Sequence, residues 1–223
     1  MLSKRLNKIV SLCGKVKRVA DVGCDHGKVL AELVKGGANF VVASDISEPS
    51  VKKAESLLKE IGAKNFSVRV GNGFETLTNN DNLDVIIVAG MGGLEIIEIL
   101  KNSKINLKRL ILQPQNNVIK LREFLQNNNY YIVYDNIIED KGKYYNILNV
   151  KISDTFHKLT KRELLYGKTN LKKHNPDFIS MLKYENQKLL NRANNITNKI
   201  LLKQILKTIA LNQKEIKKAS ERI

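Results

Sequence analysis

Three carboxylates, Asp21, Asp25 and Asp45, lie close to short hydrophobic runs that end in turn-forming sequence. Asp21 to Gly27 reads Asp-Val-Gly-Cys-Asp-His-Gly, a glycine-containing turn between an apolar run and an amphipathic stretch. Glycines at such a turn let a ligand approach the backbone closely. Dinucleotides seat a pyrophosphate there and require the G-x-G-x-x-G spacing. This turn has glycines only at Gly23 and Gly27, and its carboxylates at 21 and 25 would repel a pyrophosphate. S-adenosylmethionine instead brings a sulfonium and an ammonium, so the sign of the charge favours that cofactor. Asp21, Gly23 and Cys24 are the expected contacts, although Asp21 also suits a plain loop cap. Asp45, followed by Ile46, sits where a carboxylate can accept both ribose hydroxyls of an adenosyl group or simply cap a helix. Asn72 and Gly73 can offer an amide to the adenine edge or form an Asn-Gly turn. Ala89, Gly90 and Met91 lead into Gly92 and Gly93, a flat rim beside the methyl group or a tight turn into a helix. The Asn-Pro-Pro-aromatic or Asp-Pro-Pro-aromatic stretch that suits methylation of an exocyclic amine is absent there.

These residues need a scaffold that gathers them. Strand-like runs at Val16–Val22, Phe40–Ile46, Phe66–Val70, Leu83–Ala89 and Arg109–Leu112 alternate with helix-like stretches at Gly27–Gly36, from a cap at Ser47 or Ser50 to Ile61, at Glu95–Lys101 and at Val118–Leu125. The run Leu83–Ala89 is apolar almost throughout, as in a central strand covered on both faces. Tyr130–Glu139 and Tyr144–Ile152, joined through Lys141 and Gly142, read as a hairpin. The pattern predicts an α/β fold: a seven-stranded, Rossmann-like sheet, mainly parallel, with the last strand antiparallel. Ligands of such sheets bind beyond the carboxyl ends of the strands, where the polar residues above fall.

After residue 155 the texture changes. Lys158–Tyr166, Pro176–Ala193 and Ile200–Lys218 look helical, with a sparse apolar seam from Leu189 through Ala193, Ile196, Ile200 and Ile205 to Ile209. The expected division is a cofactor-binding domain over 1–155 and a basic, coiled-coil-like helical domain over 156–223 that leans on it. The net charge of +16 is uneven: residues 1–150 carry 21 Lys and Arg against 16 Asp and Glu, residues 151–223 carry 17 against 6. An AT-rich genome would spread lysine evenly, so the concentration favours a polyanionic partner. Cys13 and Cys24 form no C-x-x-C pair, and no apolar run approaches a membrane span. The expectation is a cytoplasmic monomer with no metal and no membrane contact.

The stretches DVGCDHG, VAGMGG, LILQP and EDKGKYY, in this order, resemble the bacterial tRNA (adenine-N1)-methyltransferases of the TrmK type. The similarity covers Leu2 to about Ile152 and continues into Glu163–Gly167 and Asn175-Pro176. It implies a class I methyltransferase that uses S-adenosylmethionine, a C-terminal helical domain, and tRNA as substrate, methylated on adenosine 22. Methylation of adenine N1 places positive charge on the ring, so Asp25, on the loop that meets the cofactor, is the candidate catalytic carboxylate. His26 orients it, contacts the base or is a structural loop residue. Gln113 and Gln115, with Pro114, Gly92 and Gly93, are expected against the target base, and Arg162, Lys168, Lys172 and Lys173 of the basic arm on RNA phosphates. The family more often has Gly-Asp-Gly where this chain has Gly71-Asn72-Gly73, and Gln-Pro-Asn where it has Gln113-Pro114-Gln115. The competing classes are a methyltransferase for another RNA, a protein or a small molecule, a non-catalytic RNA-binding protein, and an NAD-dependent oxidoreductase, which the loop charges disfavour.

Overall fold

The computed structural model describes residues 2–221; Met1, Arg222 and Ile223, the outer limits of the two expected domains, lie outside them. The chain opens with α1 (Lys4–Cys13), capped by the Ser3 hydroxyl, and then alternates β1 (Arg18–Val22), α2 (Lys28–Lys35), β2 (Phe40–Asp45), α3 (Glu48–Glu60) and β3 (Phe66–Val70). Two short 3-10 turns precede β4 (Val85–Met91), α4 (Gly93–Lys101), β5 (Arg109–Pro114), α5 (Val118–Asn127), β6 (Tyr130–Asp140) and β7 (Lys143–Ile152). The seven strands lie in the order β3-β2-β1-β4-β5-β7-β6, and only β7 runs against its neighbours. The expected sheet is borne out. The hairpin turn is Lys141-Gly142, both with positive φ, the backbone of a tight two-residue connection.

Alternation along the strands sorts the core. Ala20, Val22, Val42, Ile86, Val88, Leu110 and Leu112 face the side that α4 and α5 cover. Val19, Val41, Ala43, Val85, Ile87 and Ile111 face α1, α2 and α3. Asp21 and Gln113 share the parity of Val19 and Ile111, so both polar side chains point to the face roofed by α1. The chain order reverses between β1 and β4, which opens a crevice at their carboxyl ends.

Several boundaries differ from the sequence reading. β4 runs on through Gly90 to Met91, with a bulge between Ala89 and Met91, so half of the glycine rim is strand. β5 likewise continues to Pro114, and α4 begins at Gly93 in place of Glu95. Ser47 caps α3, accepting from the Ser50 amide at 3.4 Å. The expected helix from Lys158 starts at Lys161, because Thr160 and Glu163 form a reciprocal capping box that fixes its start.

The C-terminal region adds α6 (Lys161–Tyr166), an unexpected α7 (Lys168–Lys173), α8 (Pro176–Ala193) and α9 (Lys199–Ser220). It is bound to the sheet by a polar seam. Arg122 on α5 and Asp135 on β6 form a bidentate pair at 2.7 and 3.0 Å, both side chains 1% exposed. The same guanidinium donates to the Leu164 and Leu165 carbonyls at 2.9 and 3.1 Å. Asn170 accepts the Ile137 amide at 3.1 Å. A Cβ at Gly167 would stand 2.6 Å from the Asp135 carboxylate, so only glycine lets α7 come this close. Beyond this seam Phe178 and Leu182 of α8 pack with Ile137 and Tyr166. The helical pair α8–α9 is joined by the Asn186–Asn212 hydrogen bond at 2.8 Å and by the buried Ile205 and Ile209. Of the predicted apolar seam, Ile200 is exposed, because it lies on the first turn of α9, at the tip of the pair. No helix among the described residues is long and apolar enough to cross a membrane.

Candidate active site

The crevice at the ends of β1 and β4 holds a cavity of about 270 Å³ lined by Asp21, Gly23, Cys24, Asp25, His26 and Ala89, with Gly90, Gln115 and Arg5 closing it. Its tight geometry begins at Gly23, whose N–H donates to the Ser44 carbonyl at 2.8 Å, as does that of Cys24 at 3.0 Å. The loop from β1 is thereby pinned to the end of β2. A Cβ at Gly23 would stand 2.5 Å from Met91 Cε, so the first loop and the end of β4 meet here. The Asp25 amide donates to Asp45 Oδ2 at 3.2 Å, and the Ser47 amide to Asp45 Oδ1 at 2.9 Å. Each Asp45 oxygen keeps lone pairs for further donors.

Asp21 is 5% exposed. No described residue donates a hydrogen bond to its carboxylate. Burial first, then the nearby Asp45 charge, push its pKa up to about 7, while Arg5 pulls it down. The Cys24 thiol is also pushed up, by burial and then by Asp21 and Asp45, and stays a neutral packing group. Asp25 is the exposed member: its side chain is 72% accessible and its backbone is left-handed at φ +48. His26 Nε2 lies 3.5 Å from Asp25 Oδ1.

Arg5, which the sequence reading missed, organises the roof. Its guanidinium donates to the buried Gln113 Oε1 at 2.5 Å, and its amide to Asp140 Oδ2 at 2.9 Å. Ser3 and the Arg5 amide hold the Asp140 carboxyl below the usual range. Gln115 Nε2 donates to the Gly90 carbonyl at 2.6 Å and its backbone N–H to Met91 O at 2.8 Å, so the turn after β5 fixes the glycine rim. Gly92 and Gly93 begin α4; Gly93 N–H bonds Asn116 Oδ1 at 3.2 Å.

The remaining expected residues fall elsewhere. Asn72 and Gly73 line a separate recess of about 130 Å³ with Phe74, Glu75, Glu95 and Glu98. Ile46 is 73% exposed at the mouth of β2. Arg162 is bound bidentately to Glu215, at 2.7 Å through Nε and by a second, shorter contact. Lys168 lines a hollow with Tyr130, Tyr131 and His157 at the opposite end of the sheet. Lys173 stands 5.7 Å over the Tyr134 ring, which Lys8 approaches to 4.8 Å; Lys172 is exposed on the same helix.

The donor set fits a cation. Three carboxylates meet at one loop, one of them buried without a hydrogen-bond donor, and the helix entrance carries no phosphate fingerprint. The sheet order and this crevice define a class I methyltransferase. The description tRNA (adenine(22)-N(1))-methyltransferase, TrmK, matches residues 19–221, and the chain belongs to that family. It is 32% identical over 158 residues to the Bacillus subtilis tRNA (adenine(22)-N(1))-methyltransferase, covering 69% of this chain and 66% of that one. Its structure is similar to M. capricolum TrmK in complex with S-adenosyl-homocysteine (TM-score 0.85, 28% identity, 97% and 98% of the two chains). It is equally similar to Streptococcus pneumoniae Sp1610 in complex with S-adenosyl-L-methionine (TM-score 0.86, 29% identity, 97% and 100%).

Proposed function

We propose that the crevice under α1 holds S-adenosyl-L-methionine and that the chain uses it to methylate N1 of adenosine 22 in tRNA. The observation that carries this reading is Asp21, a buried carboxylate that opens into the cleft with no donor of its own. Asp21, Gly23 and Cys24 would hold the methionine end, with Arg5 available for its carboxylate. Asp45 and Ile46 would hold the ribose. Ala89, Gly90 and Met91 would form the wall near the methyl group, and Asn72 with Gly73 the adenine side. When bound, the cofactor supplies an electrophilic methyl group on a sulfonium, which suits the free lone pair of adenine N1.

The chain's own residues then act on the target base. Its ring becomes positively charged as N1 is alkylated, and the Asp25 carboxylate opposes that charge and can accept from the adenine amino group. His26 positions Asp25. Gln113 and Gln115, with Pro114, Gly92 and Gly93, border the place where the base enters after leaving its stack. Lys168, Lys172 and Lys173 meet RNA phosphates along the outer edge of β6, while Arg162 first serves its pair with Glu215. In this reading residues 156–223 form a coiled-coil-like, RNA-binding domain, and the protein works as a cytoplasmic monomer.

Labelled methyl transfer to unmodified tRNA, with the product nucleotide mapped, tests the reading; calorimetry with S-adenosylmethionine and NAD tests the cofactor. Methylation at adenosine 22 is expected. Affinity for NAD and none for S-adenosylmethionine would overturn it.

A further inference from the structure

A second cavity of about 410 Å³ adjoins the cleft, between the Lys141-Gly142 turn and α8, within the range of about 300–1,000 Å³ usual for small-ligand sites. Its walls include Lys143, Tyr144, Tyr145, Tyr184 and Lys188, together with Glu185, whose carboxylate lies 3.9 Å from Lys188 Nζ. Gln115 is shared with the cofactor cleft. The partition on the other side is Arg5, which lines the cleft and stacks its guanidinium 5.2 Å from the Tyr145 centroid. The two hollows are therefore neighbours, with Gln115 and Arg5 between them.

The aromatic rings there are held but not used up. Tyr144 donates or accepts at Ser180 Oγ, 2.7 Å away, and its ring lies 5.6 Å from that of Tyr184 at 44°. Lys188 Nζ stands 4.8 Å over the Tyr184 ring, and Tyr184 is 46% exposed. No described residue hydrogen-bonds the Tyr145 or Tyr184 hydroxyl. Tyr184 is the exposed ring, and Tyr144 and Tyr145 are half-buried beside it. Rings flanked by lysines form a surface on which unpaired nucleotides stack, with the cations on the backbone.

Extruding one base from folded RNA leaves its neighbour without a stacking partner. We propose that this groove receives a nucleotide flanking the target adenosine, its base against Tyr184 and Tyr145 and its phosphate against Lys143 and Lys188. The proposal rests on the tRNA reading above. It explains why an aromatic groove with no chemistry of its own opens beside the site of methyl transfer.

The test uses the full chain and a tRNA carrying 2-aminopurine at each position next to the target adenosine in turn. With the unaltered protein, one of the two labels is expected to quench on binding. Tyr184→Ala should abolish the quench and raise KM for tRNA about tenfold, the loss of one base stack, with kcat and S-adenosylmethionine affinity little changed. Tyr184→Phe should restore both, and Lys188→Gln should raise KM alone. Unchanged KM and quenching in both Tyr184→Ala and Lys188→Gln overturn the proposal. A concentration-dependent dimer that Tyr184→Ala dissolves, with KM for tRNA unmoved, also overturns it, because the groove would then hold a second copy. Failure of the tRNA reading itself looks different: the unaltered protein would transfer no methyl to tRNA at all.

Discussion

Asp21 and Asp135 are both buried carboxylates on strands of one sheet, and they could hardly be treated more differently. Asp135 is 1% exposed and is gripped by Arg122 through two hydrogen bonds, with Thr169 accepting its backbone N–H. Asp21 is 5% exposed and has no such partner; its charge is held off by burial and by Asp45. A fully paired buried charge is a structural joint, here between the sheet and the C-terminal helices. An unpaired one at the carboxyl end of β1 has the chemistry to receive a cationic ligand, the role proposed for it above.

The comparison breaks most easily at the joint. Arg122→Ala leaves Asp135 charged and bare and frees two carbonyls of α6, so unfolding free energy should fall by about 3–5 kcal/mol in a denaturant titration. Asp21→Asn should do the reverse to the ligand-free chain, leaving it as stable or more so at pH 8 while greatly weakening S-adenosylmethionine in calorimetry. If both variants behave alike, the distinction between joint and site fails. Next comes Asp25→Ala, which should cut turnover on tRNA about a hundredfold with cofactor affinity nearly unchanged, as expected for a group that acts on developing charge; full activity would remove Asp25 from the mechanism.

The pH dependence sharpens the same contrast. A folded-state pKa of about 7 for Asp21 lies above its unfolded value, so its neutral form supports folding fully at low pH. That support is lost as pH rises through about 7. Cofactor binding should show the opposite trend, strengthening from pH 5.5 to 8 as the carboxyl ionises, and Asp21→Asn should flatten it. The smallest effect belongs to the outer lysines. Lys168→Gln or Lys173→Gln should weaken tRNA binding modestly and lower the slope of log affinity against log salt by about 0.7–0.9 per lost phosphate contact.

The parts that could be read in sequence were those with local rules. Strand runs ending in turn residues gave the sheet, and Asp21 and Asp25 gave the crevice, with Asp45 holding the Asp25 amide at its edge, because each sits at a strand end or on the loop that follows. Arg5 could not be read that way. Its partner Gln113 is 108 residues distant, and only the shared parity of Asp21 and Gln113 under α1 brings the three together. Glycine usually argues against strand, yet Gly90 lies within β4, its carbonyl held by Gln115 in the turn just past β5. The six residues of α7 contain only Leu171 as an apolar anchor, too little for periodicity to register; Asn170, tied to Ile137 and to Tyr166, supplies what the pattern lacks. Asn72 follows β3, whose end is tied to that of β2 by the Gly71 amide on the Asp45 carbonyl at 3.0 Å, and it lines a recess of its own there.

Asp25 carries its side chain on a left-handed backbone that glycine would adopt without penalty. Replacing it with glycine should relax the loop and hold the fold at least as well, while stripping the carboxylate from the mouth of the cleft. Selection for durability alone would make that exchange. Under the role proposed for Asp25, the chain accepts a tense turn in return for chemistry, and a screen for thermal resistance that ignored activity would be drawn to undo it.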